Sequence, residues 1–161
     1  MKIRVGNGFD FHRIEKSAKP LVLCGVEIPS PLGIVAHSDG DIILHTVVDA
    51  ILGALALGDI GTFFPDTDPQ WKGQSSVTFI NEAIKLMEER SFEISNLDIT
   101  MICEVPKIKP LKQELTQNLA KLIKIDVDQI CIKATTTEKM GFLGRGEGIS
   151  CFATVCLVSN I

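Results

Sequence analysis

The chain has 161 residues, 45% of them hydrophobic, a mean hydropathy of +0.25 and a net charge of −4. That length suits one domain, residues 1–161, with a substantial core, and an acidic balance without a lysine or arginine run excludes nucleic acid as a principal partner. The apolar excess is not a membrane span: the longest apolar run, DIILHTVVDAILGALALGD, is interrupted by His45 and Asp49, which are expensive in lipid. It points instead to apolar surface buried between the subunits of an oligomer.

The N-terminal MKIRVGNG has neither a signal-like apolar region nor transit character, which predicts a cytoplasmic chain or a processed one in a plastid stroma. Residues 2–14 read as a strand. Asp10 and His12 are two apart and share one face, while Phe9 and Phe11 take the other, which is expected to pack. Residues 20–28 predict a second strand, joined to the first by EKSAKP. Ser38 is a favourable N-cap, with Asp39 and Asp41 in the first turn of a helix reaching about residue 57 and apolar nearly all round. GDIGTFFPDTDPQWKG is a loop by its Gly, Pro and Asp content. Ser75 caps a second helix ending near Arg90. NLDITMICEV alternates as a strand, and residues 110–124 predict a helix with Leu111, Leu115, Leu119 and Leu122 on one stripe. ICIKAT and ISCFATVCLV are the last strands, flanking TTEKMGFLGRGEG. The pattern is α+β, a mixed or mainly antiparallel sheet with helices packed on one face. Five cysteines without a C-x-x-C pair read as reduced thiols.

The chemistry-bearing residues are few. All three histidines, His12, His37 and His45, lie beside carboxylates. The Asp10/His12 pair suits a metal site, a proton-transfer pair or a structural hydrogen bond. A helix laid on the sheet brings His45 to them, and three N/O ligands leave one position of a zinc ion open. With His37 as fourth ligand the site would be closed and structural. The acidic loops HSDGD, GDIG and FPDTDP are turn formers whose density also suits a second divalent cation or a polyol. KATTTEKMGFLGRGEG supplies three threonine hydroxyls, Lys133, Glu138, Arg145 and a Gly-rich turn for phosphate. CEVPKIKP offers backbone amides and Lys107 to a base. An acidic chain equipped for phosphate needs a cation between the two, so a metal-bridged di- or polyphosphate is the expected substrate. No nucleophile elbow, Walker A loop or kinase signature is present.

GFDFHRI, PLVLCGVEIP, AHSDGDIILHTVVDAILGALALGDIGTFFPDTDPQWKG, NLDITMICEVPKI and KATTTEKMGFLGRGEGI follow one another over nearly the whole chain. In these stretches the sequence closely resembles the 2-C-methyl-D-erythritol 2,4-cyclodiphosphate synthases of the non-mevalonate isoprenoid pathway. The resemblance implies a homotrimer around a sheet-lined axis, with active sites between neighbours. It implies Zn2+ on Asp10, His12 and His45, and a second divalent cation, Mg2+ or Mn2+, at the diphosphate with Glu138 as its protein ligand. The implied reaction is attack of the 2-phosphate of 4-diphosphocytidyl-2-C-methyl-D-erythritol 2-phosphate on its own β-phosphate, with release of CMP. His37 and Thr136 match the catalytic positions. Asp10, Phe11, His12, His37, Ser38, Asp59, Ile60, Gly61, Phe64, Pro65, Asp66, Thr67 and Asp68 match contacts to the methylerythritol phosphate. Cys103, Glu104, Val105, Pro106, Lys107, Ile108 and Lys109 match the cytidine loop, and Thr135, Thr136, Thr137 and Glu138 line the diphosphate. Phe142 and Arg145 match positions near the axis. Cys24, Phe11 and Glu104 depart from the family's usual residues, and Glu104 places a negative charge beside the nucleotide loop.

Overall fold

The computed structural model describes residues 1–16 and 19–159; Ser17 and Ala18 of the EKSAKP connection lie outside the described residues. β1 (Lys2–Glu15) runs the length of a five-stranded sheet. Gly6 and Gly8 share the face of Asp10 and His12, and a Cβ on either would stand 2.0 Å from a carbonyl oxygen of the first helix. Only bare backbone lets that helix lie directly on the strand. The VGNGFDFH pattern therefore builds a contact at one end of a face and places ligands at the other.

Residues 20–28 form a hairpin rather than the single strand expected. β2 (Leu21–Leu23) and β3 (Val26–Ile28) flank a two-residue turn, Cys24 with φ 50 and Gly25 with φ 74, the positive-φ pair that matches strand twist. β4 (Gly33–Val35) then pairs antiparallel with the end of β1. α1 (Ile42–Ala54) starts later than Ser38. Gly40 takes φ 71, which no helix tolerates, and the Asp41 carboxylate accepts the Leu44 N–H as the true cap at 3.1 Å. Ala56 and Gly58, both at positive φ, end it. Ten of its thirteen residues are buried, as the all-round apolar pattern predicts.

The acidic loop holds a short turn of helix, α2 (Ile60–Phe63), and a 3-10 turn over Pro69–Trp71. α3 (Ser76–Glu88) begins after the Ser75 cap, as expected, and β5 (Glu93–Ile102) follows. α4 (Lys112–Ile123) buries Leu115, Leu119, Ala120 and Ile123, leaving Leu111 and Leu122 half-buried at the stripe's edges. β6 (Ile130–Thr135), α5 (Gly141–Gly144) and β7 (Gly148–Ser159) complete the chain. The strand order is β4-β1-β7-β5-β6, with β5 and β6 parallel and the other pairs antiparallel.

Helices cover one face. Leu97, Ile99 and Met101 of β5 and Cys151, Ala153, Val155 and Leu157 of β7 lie beneath them, essentially inaccessible. The opposite face is bare: Ile3, Val5, Phe9, Phe11 and Phe152 remain 38–66% exposed, and Phe9 stacks 4.9 Å from Phe11 and 5.7 Å from Phe152. The phenylalanine face of β1, expected to pack within the chain, is thus the open one, because Gly6 and Gly8 commit the other face to α1. Among the described residues no helix is long and apolar enough to cross a membrane.

Candidate active site

Asp10 and His12 project from β1 just past the N-terminal end of α1, and His45, in the first turn of that helix, meets them. The donor atoms of the three side chains lie within 4.8 Å of one another, and no other such group of three exists among the described residues. The Asp10 carboxylate is fixed on its own strand, one oxygen accepting the Phe11 N–H at 2.8 Å. The other stands 3.4 Å from His12 Nδ1 and 3.5 Å from His45 Nδ1. His12 Nδ1 also lies 2.8 Å from the Phe11 carbonyl. Donation there leaves the Nε2 lone pair of His12 free. One carboxylate oxygen and two imidazole nitrogens form a donor set that zinc accepts, with a further position open. His37 is not in the group, so the closed four-ligand site does not form.

Electrostatics keep the Asp10 carboxylate ionised and make the His12 imidazole more basic. Burial alone would raise the Asp10 pKa, but the His12 and His45 imidazoles beside it outweigh burial and hold the carboxyl well below the usual range. Burial would likewise lower His12, yet the neighbouring Asp10 raises it. A cation entering the site meets an ionised carboxylate and displaces protons from imidazole.

The triad opens into a cleft of about 530 Å³ between β1, the start of α1 and the acidic loop. Of the residues the sequence singled out, Phe11, His37, Ser38, Ile60, Gly61, Phe64, Pro65 and Asp66 line it with Asp10, His12 and His45. Asp59, Thr67 and Asp68 do not: Asp59 caps α2 by accepting the Thr62 N–H at 2.9 Å, and Asp68 caps the next turn through Gln70. Three contributors went unread in the sequence. Asp49 accepts the Ile60 N–H at 2.7 Å and so ties the acidic loop to α1, one turn beyond His45. Phe79 packs 5.9 Å from the His45 ring and 4.6 Å from Phe64. Trp71, the only tryptophan, closes the aromatic wall edge-on to Phe64, its buried indole N–H without a partner among the described residues. The i, i+4 spacing of His45 and Asp49 was the available signal for the first; the other two needed the folded loop. A larger groove, about 1410 Å³, opens at the far end of the sheet beside the C-terminal ends of α3 and α4, but among the described residues its carboxylates form no converging group of three metal ligands.

The remaining site residues gather elsewhere. Because β5 and β6 are parallel neighbours, the loops after them emerge together. Cys103 N–H donates to the Thr135 carbonyl at 3.1 Å, and the Glu104 carboxylate accepts the Lys139 N–H at 3.1 Å. Thr136 Oγ1 accepts the Glu138 N–H at 3.1 Å. Glu138 and Lys139 are both held at positive φ, 53 and 63, a conformation costly for side chains with a Cβ. Val105, Pro106, Lys107 and Lys109 lie on the accessible side of the first loop, whereas Cys103 and Ile108 turn into the core. Burial pushes the Cys103 thiol up to about 11, so it is no nucleophile at neutral pH. Phe142 lies 5.9 Å from Phe11 at the rim of the bare face, and Arg145 pairs with Glu147 at 2.6 Å. Asp10, Cys151, Met101 and Ala134 form one row across four strands. Three strand spacings separate Asp10 from Ala134 within a chain, about 14 Å, and the Thr135–Glu138 loop follows Ala134.

The comparisons agree with this geometry. Residues 3–158 match the YgbB family model. A 2-C-methyl-D-erythritol 2,4-cyclodiphosphate synthase of Leptospira borgpetersenii is 55% identical over 159 residues, covering 98% of this chain and 99% of its own, and one of Roseobacter denitrificans is 51% identical over 158, with the same coverage. Among solved structures, a bifunctional IspDF of Campylobacter jejuni superposes with TM-score 0.92 at 44% identity, over 97% of this chain and 42% of that longer protein. An IspF of Plasmodium falciparum in complex with CDP gives 0.88 at 39% identity, over 99% of this chain and 97% of its own. A match along almost the full length, with the ligand triad assembled in an open cleft, makes this chain a member of the YgbB family, that of the 2-C-methyl-D-erythritol 2,4-cyclodiphosphate synthases.

Proposed function

We infer that one domain, residues 1–161, converts 4-diphosphocytidyl-2-C-methyl-D-erythritol 2-phosphate to 2-C-methyl-D-erythritol 2,4-cyclodiphosphate and CMP. The observation that carries this reading is the Asp10/His12/His45 triad at the mouth of a cleft in a chain that matches the family from end to end. The 2-phosphate is its own nucleophile: a phosphate monoester has its second pKa at about 6 and is largely dianionic at neutral pH. No protein nucleophile or general base is needed, consistent with a buried, high-pKa Cys103. The protein's task is to fold the substrate into a ring-closing pose and offset its charge. Asp10, His12 and His45 would hold Zn2+, and Glu138 a second cation, Mg2+ or Mn2+. Such ions supply charge neutralisation and polarise phosphate oxygens. His37 and Ser38 line the same cleft as the triad, where a ring N–H or an O–H would donate to a phosphate oxygen. Thr136 is assigned the matching role at the diphosphate. Ile60, Gly61 and the Phe64–Asp68 segment receive the methylerythritol, and the Cys103–Lys109 loop receives the cytidine.

The active enzyme is proposed to be a homotrimer. Within one chain the strand end that leads to Glu138 stands three strands from Asp10, about 14 Å at Ala134, so a second copy is proposed to supply the other half of the diphosphate site. The bare face with Phe9, Phe11 and Phe152 is the surface such copies would share. Five cysteines without a C-x-x-C pair support a reducing compartment, the cytoplasm or a plastid stroma. The test is phosphorus NMR of the protein with that substrate, zinc and magnesium in 18O-labelled water. CMP and a cyclic diphosphate free of solvent oxygen are expected. Solvent oxygen in either product would make the enzyme a hydrolase, and zinc binding without turnover under any second metal would leave the triad a structural site.

A further inference from the structure

We propose that Ser76 and Asp39 form a hydrogen-bond relay that fixes the tautomer of His45 and aims its Nδ1 at the metal position; this rests on the metal-centre reading above. Ser76 Oγ lies 2.8 Å from His45 Nε2, the ring nitrogen turned away from Asp10. The same hydroxyl contacts the Asp39 carboxylate, which also accepts the Ser76 N–H at 3.0 Å and the Asp41 N–H at 3.1 Å. A serine hydroxyl has one proton, and a carboxylate only accepts. That proton therefore goes to Asp39, since the alternative sets two oxygen lone pairs against each other. Ser76 Oγ is left as an acceptor, and His45 Nε2 must be the N–H. The Nδ1 lone pair then faces Asp10 and the cleft. Ser38 Oγ, 3.3 Å from the same Nε2, is a longer second acceptor that already takes the Gly40 N–H.

Ser76 is not needed for the helix it begins. Ser75 is the N-cap of α3, its Oγ accepting the Val77 N–H. The Ser76 hydroxyl is nevertheless fully buried, in a region where α3 packs on α1 through apolar side chains. A buried hydroxyl satisfied on both sides, between a carboxylate and an imidazole, selects one proton arrangement. Asp39 links the relay to both helices through the start of α3 and the turn before α1. Ser76 and Asp39 touch no substrate; they are positioning residues acting through His45.

The test uses protein with 15N-labelled histidine, stripped of metal, at pH 8. Three histidines give three long-range proton–nitrogen patterns, with that of His45 identified by its loss in His45→Gln. The wild type is expected to show His45 as the Nε2–H tautomer. Ser76→Ala is expected to mix the tautomers and to weaken zinc binding about 10–100-fold in competition with a chromophoric chelator, leaving the melting temperature of the zinc-free protein within a few degrees. An Nδ1–H tautomer in the wild type, which needs no variant to observe, overturns the relay. So does a Ser76→Ala protein with unchanged zinc affinity. A wild type with the Nε2–H tautomer that binds no zinc overturns the metal centre instead, so the two failures are distinct.

Discussion

The metal cleft and the paired loops after β5 and β6 both bear carboxylates suited to cations, yet they are built by opposite means. In the cleft, Asp10, His12 and His45 are half-buried on a strand and a helix in backbone-to-backbone contact, and the nearby carboxylates of Asp39, Asp41 and Asp49 are spent on N–H groups. In the loops, Glu138 is exposed on a turn at positive φ, steadied by Thr136 and by the bond from Lys139 to Glu104. Three ligands that must converge on one ion within tenths of an ångström need rigid elements behind them. A lone carboxylate such as Glu138, in the proposed role of a single ligand to a second cation, would tolerate a loop.

The contrast can be broken most completely at His45. His45→Ala should lose at least about 1000-fold in kcat/KM, about 4 kcal/mol, while circular dichroism and melting remain those of a folded protein. Mixing it with Glu138→Ala chains should restore part of the activity, because each chain supplies the half the other lacks; no recovery would place both halves of a site in one subunit. Gly8→Ala strikes the scaffold instead. Its Cβ would stand 2.0 Å from the Thr46 carbonyl oxygen, and urea unfolding should register a loss of about 3 kcal/mol, with zinc affinity falling in parallel.

Asp41 sharpens the comparison through pH. Burial, the dominant cause, pushes its pKa up to about 6 against the N–H groups of Gly25, Leu44 and Cys24, which pull it down. A raised folded-state pKa means that the contribution is fully present below about pH 4 and is lost as pH rises through about 6. The stability of the wild type relative to Asp41→Asn should therefore fall by about 3 kcal/mol between pH 4 and pH 7. A difference flat in pH, measured by urea unfolding, would contradict it. The smallest effect belongs to the loops. Glu104→Ala frees the Lys139 amide and should cost about 1 kcal/mol, seen as a several-fold higher KM for the cytidine substrate with zinc affinity unchanged. Equal losses in both would mean that the two regions are one mechanical unit.

Much of the cleft was legible because its signals are local. Period two put Asp10 and His12 on one face, and a helix apolar nearly all round, laid on that sheet, could bring its one histidine to them. The misread places were those where a distant partner decides. Ser38 has the better cap chemistry by position, but Gly40 and the hydrogen bonds from Asp41 to the Cys24 and Gly25 N–H groups move the helix start three residues on. The 20–28 segment reads as continuous because Cys24 gives no sign of the turn it takes beside Gly25. Phe9 and Phe11 predict a packed face because large aromatics usually pack; glycine at 6 and 8 is the contrary signal, since it lets α1 lie on the opposite face.

The sequence by itself determined the α+β composition and the buried first helix, which follow from residue type, spacing and period, while resemblance to a known family singled out Asp10, His12 and His45 as candidate metal ligands. The tertiary structure alone decided which face of the sheet stays bare, which loops emerge together and which ring nitrogen of His45 faces Ser76. The physical reason is range. The parallel β5/β6 pairing brings Glu104 to Lys139, and the packing of α3 on α1 brings Ser76 to Asp39, neighbours more than 30 residues apart in the chain. No local propensity encodes a hydrogen bond whose partner arrives only when the chain has folded.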